Sequence, residues 1–420
     1  MNNKKKIKKE NKKAKYRSLR EQNIGLILKK VIEKKNVTRV QIARETGLPK
    51  STISDLVNYL ILKEVLYEEK KAESKIGKKP IILKLNEDLI YMLILDIHYE
   101  KLEAAIANLK GKIIHSKKEE KFPGRNRAES INYIFNLIDD LLEKSNKISK
   151  KVKIISVGTH GIVDPKSNKI IKAPYIKDWS GINLVDILED KYGFDVIVNN
   201  SVNLGAIGEQ WVYYKDIKDL VYIDIESGVG AGIIINGDIV DGKNGAMGEI
   251  SYLPITKNYD NKKLQQNTMD LGLFESQVDI HGITKAVNEA LRKSKSIQNF
   301  EDLNFQEISR NYRDNKNKVI KKVIDDQIIK ILSIGIASII SIIDTELIII
   351  NGNVLLLGES FLKKLTKEIY CITPFNVKIV ASKLKENAHI VGAIKYGLNH
   401  INKIFYQNFY QVMDWMPKYL

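Results

Sequence analysis

The chain has 420 residues, 44% hydrophobic and 28% charged, with a single cysteine, Cys371, and a formal net charge of +17. That length and apolar content suit two or three domains with a sizeable core, and one cysteine excludes both an internal disulfide framework and a cysteine-rich zinc cluster. The N-terminus is charged from residue 4 with no apolar stretch fit for a signal peptide. The most apolar runs, near 332–343 and 346–357, are broken by Ser, Asp, Glu and Asn, so neither is expected to span a bilayer. A cytoplasmic protein with no membrane partner is the expectation.

The charge is unevenly placed. Residues 1–84 hold 24 Lys and Arg against 9 Asp and Glu, an excess of 15 that leaves 2 for the other 336 residues. A solubilising tail is one reading; an electrostatic footprint for nucleic acid is the other, because phosphate neutralisation supplies most non-specific affinity.

Residues 1–16 are lysine-rich and apolar-poor and read as a flexible arm. Over 17–86 the pattern is helical and then extended. Ile24, Ile27, Leu28, Val31 and Ile32 form one apolar helix face. Thr38 offers an N-cap for a short helix ending at Gly47, and a second helix starts near Pro49. Its inner face is Ile53, Leu56, Val57, Leu60 and Ile61, and its outer face is Lys50, Ser51, Thr52, Ser54, Asn58 and Tyr59. Residues 65–85 read as two strands around a basic loop. This order predicts a winged helix-turn-helix, with Arg39, Lys50, Ser51, Thr52, Ser54 and Asn58 facing DNA and Lys78 and Lys79 of the wing reaching phosphates. An ordinary three-helix bundle is the alternative.

From about residue 88 the texture is α/β. Three strands (YMLILDIH, KLEAAIANL, KIIHSKKEE) precede a helix near 128–146, a strand at VKIISVG, a helix at LVDILEDKYG, a strand at FDVIVNN and a helix near 202–212. A second round opens with LVYIDIES and GAGIIING. It continues through a helical middle at 280–343, the strand ELIIIN, a helix at 359–370, the strand NVKIVAS and a helix at 386–400. Two such rounds predict two related lobes, 87–215 and 216–400, flanking a cleft. The tail 401–420, rich in Phe and Tyr, is expected to dock or to form an interface.

These residues resemble the ROK family (repressors, open reading frames and kinases), especially its xylose-repressor-like members, from about Arg17 to Asn399. VTRVQIARETGLPKSTISDLVNYL is similar to the family's helix-turn-helix and SKIGKKP to its wing. The resemblance implies an α/β architecture: an N-terminal winged helix-turn-helix followed by a two-lobed actin-like (ASKHA/ROK) domain. Kinases of the family open with Asp-Ile-Gly-Gly-Thr-Lys, whose glycines admit phosphate oxygens to the backbone; here the run is Asp96-Ile97-His98-Tyr99-Glu100-Lys101. A second glycine turn, Ser227-Gly228-Val229-Gly230-Ala231-Gly232, survives, and the adenine-side glycine pair reads Asn351-Gly352. Asn-Asp-Ala-Asn, which carries the catalytic base, aligns with Asn200-Ser201-Val202-Asn203, and an unactivated serine is no general base at neutral pH.

The family's zinc motif also departs. Its Gly-Glu-Ile-Gly-His reads Gly248-Glu249-Ile250-Ser251-Tyr252, and Gln266, Thr268 and Leu273 stand at the cysteine positions. The resemblance therefore implies no zinc cofactor, no metal site and no kinase activity. The sugar positions fare better, with Trp179, Asn200, Ser201, Glu249, Tyr252 and Glu275 as effector-site candidates. The six histidines, at 98, 115, 160, 281, 389 and 400, show no ligand spacing and are expected at surface or core positions.

The function so implied is a transcriptional regulator, in the first instance a repressor. It would be a homodimer or higher oligomer on a double-stranded operator, controlled by a sugar held in a catalytically inactive kinase-like domain. The alternatives are a sugar kinase with an accessory DNA-binding domain, or a regulator whose pocket has decayed.

Overall fold

A computed structural model describes residues 19–34, 36–70, 80–98, 101–120, 126–173, 178–255, 272–294 and 301–415. The α/β part is built twice on one plan. In lobe 1, β3 (Tyr91–Ile97) pairs antiparallel with β4 (Leu102–Asn108), which pairs antiparallel with β5 (Ile113–Glu119); on its other side β3 runs parallel to β6 (Val152–Thr159), and β6 to β9 (Asp195–Asn200). In lobe 2, β10 (Leu220–Ile225) takes the part of β3, followed by β11 (Val229–Ile235), β12 (Asp238–Ile239), β13 (Leu347–Asn351) and β14 (Lys378–Ala381), with the same pairings in the same order. Burial explains the patterns: the central strands β3 and β10 are buried throughout and read as continuous apolar runs, whereas the edge strand β5 is mostly part-exposed.

Each lobe has its own helical cover. Helices α4 (Arg127–Lys144) and α5 (Leu184–Tyr192) put Ile134, Leu137, Ile138 and Leu188 into the lobe 1 core. Lobe 2 is covered by α7 (Glu275–Val278), α8 (Ile280–Lys293), α9 (Phe305–Arg313), α10 (Lys318–Ile343, with a π turn at Ile324–Ile328) and α11 (Glu359–Ile372). By length and composition α10 is apolar enough to cross a membrane. Here Ile324, Ile328, Leu332, Ile336 and Ile340 are buried in the lobe 2 core, which accounts for its apolarity.

The lobes meet where α6 (Ser201–Tyr213), leaving β9, crosses α12 (Ala388–Gln407), which follows β14. The crossing is tight because both helices present glycine. A Cβ at Gly208 would stand 2.5 Å from the Ala388 carbonyl oxygen, and one at Gly392 would overlap the Leu204 carbonyl. Backbone therefore rests on backbone, and the first strands of both lobes end beside this contact, with Asp96 and Asp224 each the penultimate residue of its strand.

The N-terminal domain comprises helix α1 over 19–33, α2 (Arg39–Thr46), α3 (Lys50–Leu62) and the hairpin β1 (Leu66–Lys70)/β2 (Ile81–Leu85). Thr38 caps α2 through a capping box with Gln41, and Gly47 closes it in the left-handed conformation at φ 71°. A bridge from Val37 to Leu83 ties the turn before α2 to the hairpin. This domain is not a separate bead. Ile24, Ile27, Leu28 and Val31 share one core with Leu398, Ile401, Ile404 and Phe405 of α12 and with Phe409 and Val412 of α13 (Phe409–Trp415). Gly25 lets α1 approach the Tyr406 backbone closely. The structure thus carries α12 past residue 400, where lobe 2 was expected to end, and uses the start of the aromatic tail to seat the N-terminal domain.

Replacing Gly392 with Ala forces a Cβ into the Leu204 carbonyl, which backbone on both sides cannot yield to. Overpacking of this kind costs about 1–3 kcal/mol or more, so the Gly392→Ala protein should unfold at a clearly lower temperature than the parent; an unchanged midpoint would mean the helices do not cross as described.

Candidate functional site

An open cleft lies between the lobes, enclosing a void of about 130 Å³, a concave place of the kind small molecules occupy. One end is lined by Lys172, Asn200, Glu249, Ser251, Tyr252 and Glu275. Glu275 is buried and accepts from the backbone N–H of Val229 at 3.1 Å and of Gly272 at 3.1 Å, so it braces the glycine turn as well as facing the cleft. Asn200 caps α6 by accepting from the Val202 N–H at 2.7 Å and donates to the Gly161 carbonyl at 2.8 Å. Lys172 stands 4.9 Å from the centroid of the Tyr252 ring, a cation–π contact at the cleft wall. Burial, with the Glu275 charge beside it, pushes Glu249 up to about 7 against the pull of Lys172.

Two effector-site candidates sit elsewhere. Trp179 is fully buried in the lobe 1 core with its indole N–H 3.4 Å from Thr159 Oγ1, and it does not line the cleft. Its candidacy for the effector site is corrected: the large apolar ring is part of the lobe 1 core. Ser201 is also fully buried, below the cleft floor, and its hydroxyl donates to Asp96 Oδ1 at 2.9 Å.

The other end of the cleft holds what the sequence spacing did not reveal. His98, just after β3, His160, just after β6, and His389, in the first turn of α12, converge between Asp96 and Asp224. His98 Nε2 lies 3.1 Å from His389 Nδ1, and His389 Nε2 lies 2.9 Å from Asp224 Oδ2. His160 stands edge-on to His98 with centroids 4.0 Å apart, and its Nε2 is buried with no hydrogen-bond partner. Burial drives His98 well below the ordinary imidazole range and His160 down to about 4. Burial acts on His389 too, but the hydrogen bond and charge of Asp224, with Asp96 and Glu226 nearby, outweigh it and raise His389 to about 9. The sequence placed the histidines at surface or core positions without grouping them; the structure brings these three together. Distances of 62 and 229 positions along the chain hid them, and only the duplicated fold brings both sheet ends to one point.

Among the described residues of the loop that resembles the family's zinc motif, Ser251, Tyr252 and Leu273 offer two hydroxyls and an aliphatic chain. That donor set does not fit a structural zinc. Gln266 and Thr268, and Tyr99 and Glu100 of the first phosphate loop, lie outside the described residues.

On the N-terminal domain, Ser51, Asp55, Asn58 and Leu62 are exposed along one side of α3, with Lys50 beside them. Thr52 and Ser54 are half-buried. Asp55 was passed over in the sequence reading; it shares the polar face. Arg39 is turned inward: its guanidinium donates to Glu68 Oε1 at 3.0 and 2.8 Å and to the Ser54 carbonyl at 3.3 Å, so it ties α2 to the hairpin and α3. Tyr59 is half-buried beneath Arg20, 4.3 Å from ring centroid to guanidinium carbon, and leaves the outer face. Lys78 and Lys79 lie outside the described residues.

Fold and cleft together define a two-lobed, actin-like α/β protein with a small helical domain fastened to the end of its last long helix. The sequence pattern of the ROK family matches residues 92–398, and the chain belongs to the ROK family. It is 26% identical over 384 residues to the xylose repressor of Caldicellulosiruptor bescii, covering 90% of this chain and 95% of that one. Among solved structures it is similar to a ROK family transcriptional regulator described as a homologue of Escherichia coli Mlc, with a TM-score of 0.78 over 94% of this chain and all of that one at 18% identity. It is also similar to a ROK family glucokinase from Streptomyces griseus, with a TM-score of 0.60 over 73% of this chain and 98% of that one at 20% identity.

Because Glu249 holds its proton up to about 7 in the folded protein, against an ordinary carboxylate value when unfolded, its contribution to stability is complete at low pH and is lost as pH rises through 7. Glu249→Gln removes that loss. The variant should melt roughly 2 °C above the parent at pH 8 and at nearly the same temperature at pH 4, below both pKa values; a gain independent of pH would show that Glu249 is ionised in both.

Proposed function

We propose that this protein is a sugar-responsive transcriptional repressor, with a small polyhydroxylated ligand in the cleft controlling the grip of the N-terminal domain on operator DNA. The observation that carries the reading is the path of α12. Its first turn supplies His389 to the cleft, and its last turns supply Ile404 and Phe405 to the core of the N-terminal domain. Its 20 residues span roughly 30 Å as one rigid element, so a shift of the lobes about the α6 crossing moves the DNA-binding domain with no flexible link between. Ligand binding that favours one lobe arrangement thereby biases the placement of α3.

Lys50, Ser51, Asn58 and the half-buried Thr52 and Ser54 of α3 present a small, polar surface suited to the major groove, with Asp55 able to accept from a cytosine amino group. The basic hairpin loop with Lys78 and Lys79 would add phosphate contacts. A homodimer would place two such helices on a palindromic operator. In the cleft, Asn200, Glu249, Tyr252 and Glu275 suit a sugar's hydroxyls, and the name of the relative in Caldicellulosiruptor bescii makes xylose the first candidate. Such a protein works in the cytoplasm. The reading is non-catalytic: Ser201 is spent on holding Asp96, and the His98 side chain lines the cleft where a kinase of the family has glycine.

A mobility-shift titration of the purified protein on DNA upstream of its own gene tests this at physiological salt. The parent should shift that fragment specifically, xylose or another pentose or hexose should weaken the complex, and Asn58→Ala should raise Kd roughly 5- to 150-fold, the effect of one lost base contact. No specific shift, or a shift that no sugar alters, contradicts the reading; ATP-dependent sugar phosphorylation above background would replace it with the kinase.

A further inference from the structure

The donor atoms left facing one another at the inner end of the cleft are Asp96 Oδ2, His98 Nε2 and His389 Nδ1. They lie 3.1 Å (His98 to His389), 3.8 Å (His389 to Asp96) and 4.0 Å (His98 to Asp96) apart. The point equidistant from all three is roughly 2.1 Å from each, the bond length that imidazole nitrogen and carboxylate oxygen make to zinc. We propose that Asp96, His98 and His389 bind a divalent transition-metal ion of the zinc class, at a site that joins lobe 1 to the first turn of α12.

The neighbours support each ligand separately. Asp224 Oδ2 holds His389 Nε2 at 2.9 Å, which turns Nδ1 toward the other two donors, and Asn351 Nδ2 in turn donates to Asp224 Oδ1 at 3.0 Å. Ser201 Oγ donates to Asp96 Oδ1 at 2.9 Å and leaves Oδ2 for the ion. A carboxylate behind a ligating imidazole and a hydroxyl on a ligating carboxylate are the usual outer supports of such sites. The same arrangement gives Ser201 a purpose: an aspartate at that position would set a second carboxylate against Asp96. The cation exchanges with the proton that His389 and His98 otherwise share across their 3.1 Å contact.

Access agrees. A second cavity opens onto the same group, lined by Asp96, Glu103, Glu226 and Glu386 together with Lys101, Lys118 and His389, so the three donors are reached from solvent on this side as well. His160, with its unpartnered buried Nε2 beside His98, gives a polar neighbour for a ligand in the open fourth position on the cleft side. Two imidazoles with one carboxylate favour zinc, cobalt or nickel over magnesium or calcium, which take oxygen sets. The site is distinct from the loop at Gly248–Tyr252, and its filling would clamp the lobes at the point where α12 begins.

The test uses untagged full-length protein stripped with a chelator. Zn2+ is titrated against a chromophoric competitor, and Zn K-edge absorption is recorded on the parent. The expected result is one ion per chain, bound with sub-micromolar Kd, with outer-shell scattering from two imidazoles and no sulfur. His98→Gly and His389→Gln should each weaken Zn2+ at least about 100-fold and Ser201→Ala about 10-fold, whereas His281→Ala, at an exposed position, should bind as the parent does. Failure of the parent to retain zinc at micromolar concentration, sulfur in its absorption spectrum, or undiminished binding by His98→Gly each overturns the proposal.

Discussion

Everything in this molecule hangs on the contact of α6 with α12. Gly208 and Gly392 let two helix backbones touch, and that contact does three things at once. It joins the lobes, it aligns the ends of β3 and β10 so that Asp96 and Asp224 face each other, and it aims the last turns of α12 at the N-terminal domain. A side chain at either glycine would push the backbones apart by more than packed neighbours tolerate. The junction is therefore tight.

Much of the fold was legible because the two periodicities are clean. The continuous apolar runs of β3, β10 and β13 match strands buried on both faces, and Thr38, Gly47 and Pro49 mark helix ends for reasons of capping alone. What escaped the sequence is non-local. The short hairpin strands Ile162–Val163 and Ile170–Lys172 are too brief to show a period. The passage of α12 through residue 400 has no helix-breaking residue to hide it, yet the change to aromatic composition read as a boundary. Those aromatic residues are the surface on which the N-terminal domain sits.

The site was legible in part for the same reason. Family resemblance placed Asn200, Glu249, Tyr252 and Glu275 in the cleft, but it could not tell that Trp179 is structural or that Arg39 is held by Glu68. A tryptophan in a core and one in a pocket look alike in sequence, and an arginine paired to a glutamate 29 residues away leaves no local mark. The three histidines were the largest omission. His98 stands in the run that aligns with the family's first phosphate loop, and with His389, Asp96, Asp224 and Ser201 it forms a hydrogen-bonded cluster between the lobes, with His160 packed edge-on beside it.

The central claim is that a ligand between the lobes acts on DNA through α12 as a rigid rod. Hydrogen exchange at the amides of 24–28 and 401–405, measured with and without a sugar that lowers operator affinity, tests it most directly. The account predicts that protection there changes on sugar binding, although residues 401–405 lie about 18–24 Å along α12 from His389. If operator affinity falls while exchange changes only at cleft residues, the coupling runs by another route and the account is wrong.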